Sequence, residues 1–176
     1  MDDIVKAALL KWPRVPHCFG WLALDARGDW YMRDDRIQAS GPFPAVKGSR
    51  ILHDKLRDFI HRNYQADEHG AWYFQNGPQR VYVQLEAAPF VWRLRALNPG
   101  WEVTSHTGLL TAVDSVWLCE QGRLFLFTPL GLGLVHSLDM DIAAQAVEAG
   151  DWQPEDLAWE QMPRRFAYQL APQPIV

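Results

Sequence analysis

The chain has 176 residues, 48% of them apolar, with 17 Lys and Arg against 21 Asp and Glu for a net charge of −4. That length holds one substantial domain or two small ones packed together. The acidic balance, with a pI of about 5.8, argues against general nucleic-acid or anionic-membrane binding, which needs basic stripes.

From the N-terminus, Asp2 or Asp3 can cap a short helix with Ile4, Val5, Ala8 and Leu9 on one side, ended by Pro13. "LALDARGDWYM" (22–32) then reads as a hairpin whose turn is Asp25 to Gly28. Asp at the first turn position can accept a backbone hydrogen bond, and Gly at the fourth can take a positive φ. "QASGPFPAVKGS" (38–49) reads as a loop. A helix over 50–63 follows, with Ser49 as cap, Ile51, Leu52, Leu56, Phe59 and Ile60 at helical spacing, and Asp58 and Arg62 placed to pair.

"YQADEHGAWYF" (64–74) repeats the hairpin rhythm with its turn at Asp67 to Gly70. Asn76-Gly77 turns the chain again, and "RVYVQLE" alternates strictly, with Val81, Val83 and Leu85 on one face and Arg80, Tyr82, Gln84 and Glu86 on the other. "NPG" (98–100) breaks the pattern and places a boundary between subdomains 1–97 and 98–176. After short strands ("WEVTS", "LLTAV"), "VWLCEQGRLFL" (116–126) is a third hairpin, turning at Cys119 to Gly122. Laid against the second, Trp72 meets Leu124 and "QNGP" meets "FTPL". Asp139 caps a helix over 140–149 closed by Gly150; "PEDLAWEQM" suggests another helix, "RRFAYQL" a last strand and "APQPIV" an extended tail. The fold class is therefore α+β: two subdomains of repeated antiparallel hairpins with short covering helices, in a mixed sheet or partly open barrel. A hairpin buries one apolar face, and helices or further copies must cover it.

"RNYQADEHGAWYFQNGPQRVYVQLEAAP" (62–89) resembles, with most of the chain, a small proteobacterial family of conserved hypothetical proteins known only as a domain of unknown function. Residues 20–94 are more distantly similar to another uncharacterised family that runs hairpin, helix, hairpin and an "E-A/D-A-P-F-V" segment, here Glu86 to Val91. This resemblance implies an α+β fold of repeated motifs and carries a suggested role in signal transduction. It implies no catalytic residues, and the loop 38–49 is longer here.

The chemistry-bearing residues do not form a motif. His17 and Cys18 are neighbours on a strand and point to opposite faces. His53 and His61 lack the i, i+4 spacing of helical metal ligands, and His69 sits in a turn. "GLG" (131–133) lacks the remainder of a phosphate loop, and "DMD" (139–141) lacks the glycine and glutamate of a calcium loop. There is no GxSxG, HExxH or kinase signature, and the carboxylate pairs Asp34-Asp35 and Glu155-Asp156 have no readable environment. Cys18 and Cys119 stand far apart and outside any CxxC, so they read as free thiols of a reducing compartment. "MDDIVKAALLKWP" lacks a signal peptide's apolar run, and no stretch approaches a spanning helix. The expectation is a cytoplasmic protein.

The strongest candidate site is the polar face of the second copy: Asn76, Gln79, Arg80, Tyr82, Gln84 and Glu86. Arginine and tyrosine on one strand face suit a small anionic ligand or a protein partner, so the expected function is a non-catalytic binding or regulatory module, with no cofactor or metal. Two alternatives stand beside it. One is an enzyme with its site at the subdomain interface. The other is a dimeric assembly protein, because the matching positions of the third copy are Leu132, Leu134, His136 and Leu138, an apolar face expected to be buried between subdomains or in a homodimer.

Overall fold

The computed structural model describes residues 1–174. Its recurring element is one turn, built at Asp25–Gly28, Asp67–Gly70, Ser105–Gly108 and Cys119–Gly122. The closing glycines hold φ of 83°, 74°, 85° and 70°, a left-handed conformation that glycine takes without steric penalty. The opening residue's N–H donates to the carbonyl one residue past the glycine: Asp29 (3.0 Å), Ala71 (3.0 Å), Leu109 (2.9 Å) and Arg123 (3.1 Å). In three turns a side-chain oxygen accepts the returning N–H: Asp25 from Asp29 (3.0 Å), Asp67 from Ala71 (2.9 Å) and Ser105 from Leu109 (3.0 Å). The expected turns form, and Ser105–Gly108 adds one that sequence reading missed.

The chain divides into two units: Met1–Asp25, Asp29–Glu86 and the segment from Tyr168 onward, then Ala26–Gly28 with Ala87–Ala167. The first holds α1 (Asp3–Lys11), β1 (Cys18–Leu24), β2 (Trp30–Met32), α2 (Asp35–Ser40), β3 (Ser49–Arg50), α3 (Asp54–Arg62), β4 (Tyr64–Ala66), β5 (Trp72–Asn76) and β6 (Gln79–Leu85). Its sheet runs β3-β2-β1-β6-β5-β4, antiparallel except for the central pair β1 and β6. Leu22, Leu24, Trp30, Ile60, Phe74 and Val83 are core residues.

Several local expectations are corrected here. Helix α3 starts at Asp54 rather than residue 50, and Ser49 is no cap, because Ser49 and Arg50 pair with β2 and the Ile51 N–H donates to Trp30. His53 opens the helix instead, its Nδ1 accepting from Leu56 N–H at 3.3 Å. Arg62 pairs with Asp2 rather than Asp58 (3.2 Å), which leaves α1 without a side-chain cap. Within α1, Val5 is buried but Ile4 is exposed.

The second unit holds β7 (Phe90–Ala96), β8 (Trp101–Ser105), β9 (Leu110–Thr111), β10 (Ser115–Leu118), β11 (Leu124–Thr128), β12 (Gly131–Val135), α4 (Met140–Glu148), β13 (Pro154–Asp156) and α5 (Met162–Arg165). Its sheet runs β13-β10-β11-β12-β7-β8-β9. The strand β7, which precedes the break at 98–100, hydrogen bonds into this second sheet. Neither sheet closes into a barrel. Read in chain order, β7 to β12 repeat the arrangement of β1 to β6, with first and last strands parallel at the centre. The first unit places α3 between its third and fourth strands; the second crosses there with residues 112–114 and adds β13 outside β10.

The "GLG" stretch lies on β12, where Gly133 makes room for Trp92. A Cβ there would stand 2.8 Å from the Phe90 Cβ and closer still to the Trp92 ring. Leu132, Leu134 and His136 are buried in the monomer while Leu138 is 67% exposed. Asp139 makes no cap bond to α4; its carboxylate accepts from Arg93 (2.6 Å) and Leu94 N–H (2.9 Å). "PEDLAWEQM" begins as β13 rather than a helix, and "RRFAYQL" is no strand: α5 ends at Arg165. Of the tail, Ile175 and Val176 lie outside the described residues.

Candidate functional site

Both faces of β6 are covered, and Tyr82 is 6% exposed beside the fully buried Val83. Polar side chains of β6, and Glu86 just after it, enter three separate clusters. Glu86 pairs with Lys47 (3.1 Å), which also bonds Asp25 (2.9 Å), while the Tyr31 hydroxyl donates to the same Asp25 oxygen. Burial opposes the Lys47 charge, but Asp25 and Glu86 outweigh it and raise the ammonium's pKa. Gln84 accepts from Arg33, which is 2% exposed and also donates to the carbonyls of Gly41 (2.7 Å) and Val46 (3.2 Å). Desolvation lowers the Arg33 pKa. Arg33 and Lys47 thus hold the loop 38–49 against this strand.

The third cluster fronts a cavity. The Tyr82 ring stacks on Phe19 with centroids 4.5 Å apart and planes 7° from parallel, and His17 meets it edge-on at 5.8 Å. The Tyr82 hydroxyl donates to Asp67 Oδ2 at 3.0 Å. Asp67 Oδ1 accepts from the N–H groups of His69 and Ala71, both at 2.9 Å. Burial pushes the Asp67 carboxyl up, but these hydrogen bonds outweigh it and hold its pKa below the ordinary carboxylate value. Burial first, and then the Asp67 bond, raise the Tyr82 phenol, so it stays a neutral donor. Arg80 lies over the Tyr73 ring at 4.6 Å, close enough to Tyr82 to oppose that rise.

The cavity measures about 430 Å³; Phe19, Tyr82 and Ala71 line it together with His17, Asp67 and His69, and its remaining wall is Gln169 and residues 172–174. Its chemistry is an aromatic platform beside an ionised carboxylate. A carboxylate has about four lone-pair sites, and Asp67 receives three hydrogen bonds within the protein. One acceptor site remains for a ligand. Among the described residues, no group of three or more His, Cys, Asp or Glu could hold a metal ion.

Of the six residues expected to form the site, Tyr82 lines this cavity. Asn76 and Gln79 line a different, mostly apolar groove beside Cys18, Trp21 and Leu56. Gln79 donates there to the Pro16 carbonyl (3.0 Å). Arg80, Gln84 and Glu86 line neither. Sequence reading missed Phe19, Asp67 and the C-terminal wall. A larger cavity of about 530 Å³ in the second unit has Asp114, Asp151 and Glu155 on its lining. Those carboxylates are exposed, and Asp151 is bonded by the Trp101 indole (2.9 Å), so the smaller cavity has the better-buried polar set.

A solved structure of a DUF1285 family protein from Silicibacter pomeroyi DSS-3 resembles the chain with a TM-score of 0.54 at 13% identity, covering 82% of this chain and 84% of that one. A second DUF1285 family protein, from Shewanella baltica OS155, has a TM-score of 0.48 at 16% identity over 76% of this chain and 97% of its own. The first likeness shows a shared fold, in accord with the repeated α+β motifs of the distant family. No curated protein matches the chain. Residues 1–173 match the family described as "Protein of unknown function (DUF2946)", and the chain belongs to that family.

Proposed function

We propose that this member of an uncharacterised family is a binding module whose ligand occupies the cavity over Phe19, Tyr82 and Asp67. The observation that carries the reading is the half-buried Tyr82–Asp67 hydrogen bond of 3.0 Å opening onto a 430 Å³ cavity with Phe19 stacked beside it. Pockets with an apolar lining and a few convergent polar groups are the usual small-molecule sites. Arginine on the strand suggested an anion, but Arg80 is engaged over Tyr73 and the charge on the cavity wall is the Asp67 carboxylate. The ligand class that fits is a small flat molecule that donates an N–H or O–H to Asp67, neutral or cationic rather than anionic.

A thermal-shift screen of flat aromatic amides, amidines and heterocycles tests this. A ligand at about 100 times its Kd adds roughly 2.7 kcal/mol of stability. Binding by such compounds, lost in Phe19→Ala, supports the site; hits confined to anions, or unaffected by that substitution, contradict it.

A further inference from the structure

We infer that the C-terminal segment 168–174 is a movable strap that gates this cavity, hinged at Ala167; the inference rests on the reading of the cavity as the ligand site. Ala167 is the single non-glycine with positive φ among the described residues, at 51°. A β-carbon makes that conformation unfavourable, so it persists only where the surroundings hold it. It is also the residue at which the chain leaves the second unit, with Tyr168 onward belonging to the first.

The strap's attachments are uneven along its length. Near the hinge, Tyr168 is buried. Gln169 donates through its N–H to Gly70 (3.0 Å) and through its side chain to the His69 carbonyl (3.0 Å). Leu170 accepts from Leu85 N–H at 2.8 Å. That bond exists because β5 pairs with β6 no further than Tyr73 opposite Tyr82, leaving the edge beyond for the strap. Past Leu170, the hydrogen bond found among the described residues is internal, from Gln173 to Ala171 at 3.4 Å. Pro172 and Pro174 carry no N–H and cannot add to the sheet. Of these weakly held residues, Pro172, Gln173 and Pro174 wall the cavity, beside the anchored Gln169. A strained hinge, a short anchored stretch and a free-running wall make a segment that opens at lower free energy than its unit unfolds.

The test is native-state hydrogen exchange on the full wild-type chain without ligand. Leu85 and Glu86 are adjacent on the chain, yet Leu85 N–H bonds the strap while Glu86 N–H bonds Leu24 of β1 at 3.0 Å. Corrected for intrinsic rates, Leu85 should exchange at least about tenfold faster than Glu86. It should also respond little to low urea, because strap opening exposes little surface. Equal rates with the same urea dependence would mean that the strap leaves only when the whole unit unfolds, and would overturn the inference. The outcome needs no ligand, so failure here and failure of the ligand screen are separable.

Discussion

The two units share a strand order and differ in what they do with it. At matched positions of the second and third hairpin copies, Asp67 and Tyr82 of the first unit correspond to Cys119 and Leu134 of the second. Both second-unit residues are buried, at 4% and 5% exposure. One framework therefore carries either a hydrogen-bonded polar pair beside a cavity or an apolar pair in a core. The turn tolerates both, because backbone bonds close it and the side-chain bond is an addition: Cys119 keeps the 3.1 Å bond to Arg123 without it. The difference teaches that the repeat is scaffold and that a few positions upon it decide between a polar cavity wall and a packed core.

Perturbing the packed unit should have the largest effect. Trp92 is fully buried, with its indole N–H bonded to the Leu126 carbonyl at 3.0 Å. Trp92→Ala should remove about 3–5 kcal/mol of stability in urea denaturation. Carrying the first unit's residue into the second, Leu134→Tyr overpacks a closed site and should cost about 1–3 kcal/mol; an unchanged urea midpoint would show that the second unit holds unused space.

In the first unit, Asp67→Asn sets its amide N–H either against the Tyr82 hydroxyl or against the two backbone donors of His69 and Ala71, a loss of about 1–2 kcal/mol near neutral pH. The folded pKa of Asp67 lies below its ordinary value of 3.8. Its charge therefore stabilises the fold above that value, and the contribution is lost as pH falls through the lower folded one. The gap between wild type and variant should narrow from about pH 5 downward, and a gap that widens on acidification would reverse the assignment. The smallest effect belongs to Ser105→Ala, which deletes the Ser105 bond from Leu109 (3.0 Å) but keeps the backbone closure. A loss of about 0.5–1 kcal/mol, read from the urea midpoint, is expected.

Much of the architecture was legible because the Asp-x-x-Gly and Cys-x-x-Gly turns announce themselves through residues that tolerate few other structures. Ser105–Gly108 escaped because β9 after it has only Leu110 and Thr111, too short to show alternation. Helix α3 was read too long because Ile51 and Leu52 fit its period, while the backbone there was already engaged by β2. Pro154–Asp156 became a strand through pairing with β10, a contact that no local pattern encodes. At the site, Tyr82 stood out by alternation on its strand. Asp67 did not, because its role in the turn already accounted for it. Phe19 and Gln169 come from remote parts of the chain and meet Tyr82 only once the first unit has folded.

The most direct test of the account is an amide-resolved NMR titration of the screened compounds against wild type and the double variant Asp67→Cys, Tyr82→Leu, which copies the second unit's pair into the first. The account predicts shifts at Phe19, Asp67, Ala71 and Tyr82 in the wild type that vanish in a folded double variant. Shifts that cluster in the second unit, or that persist in the double variant, would contradict it.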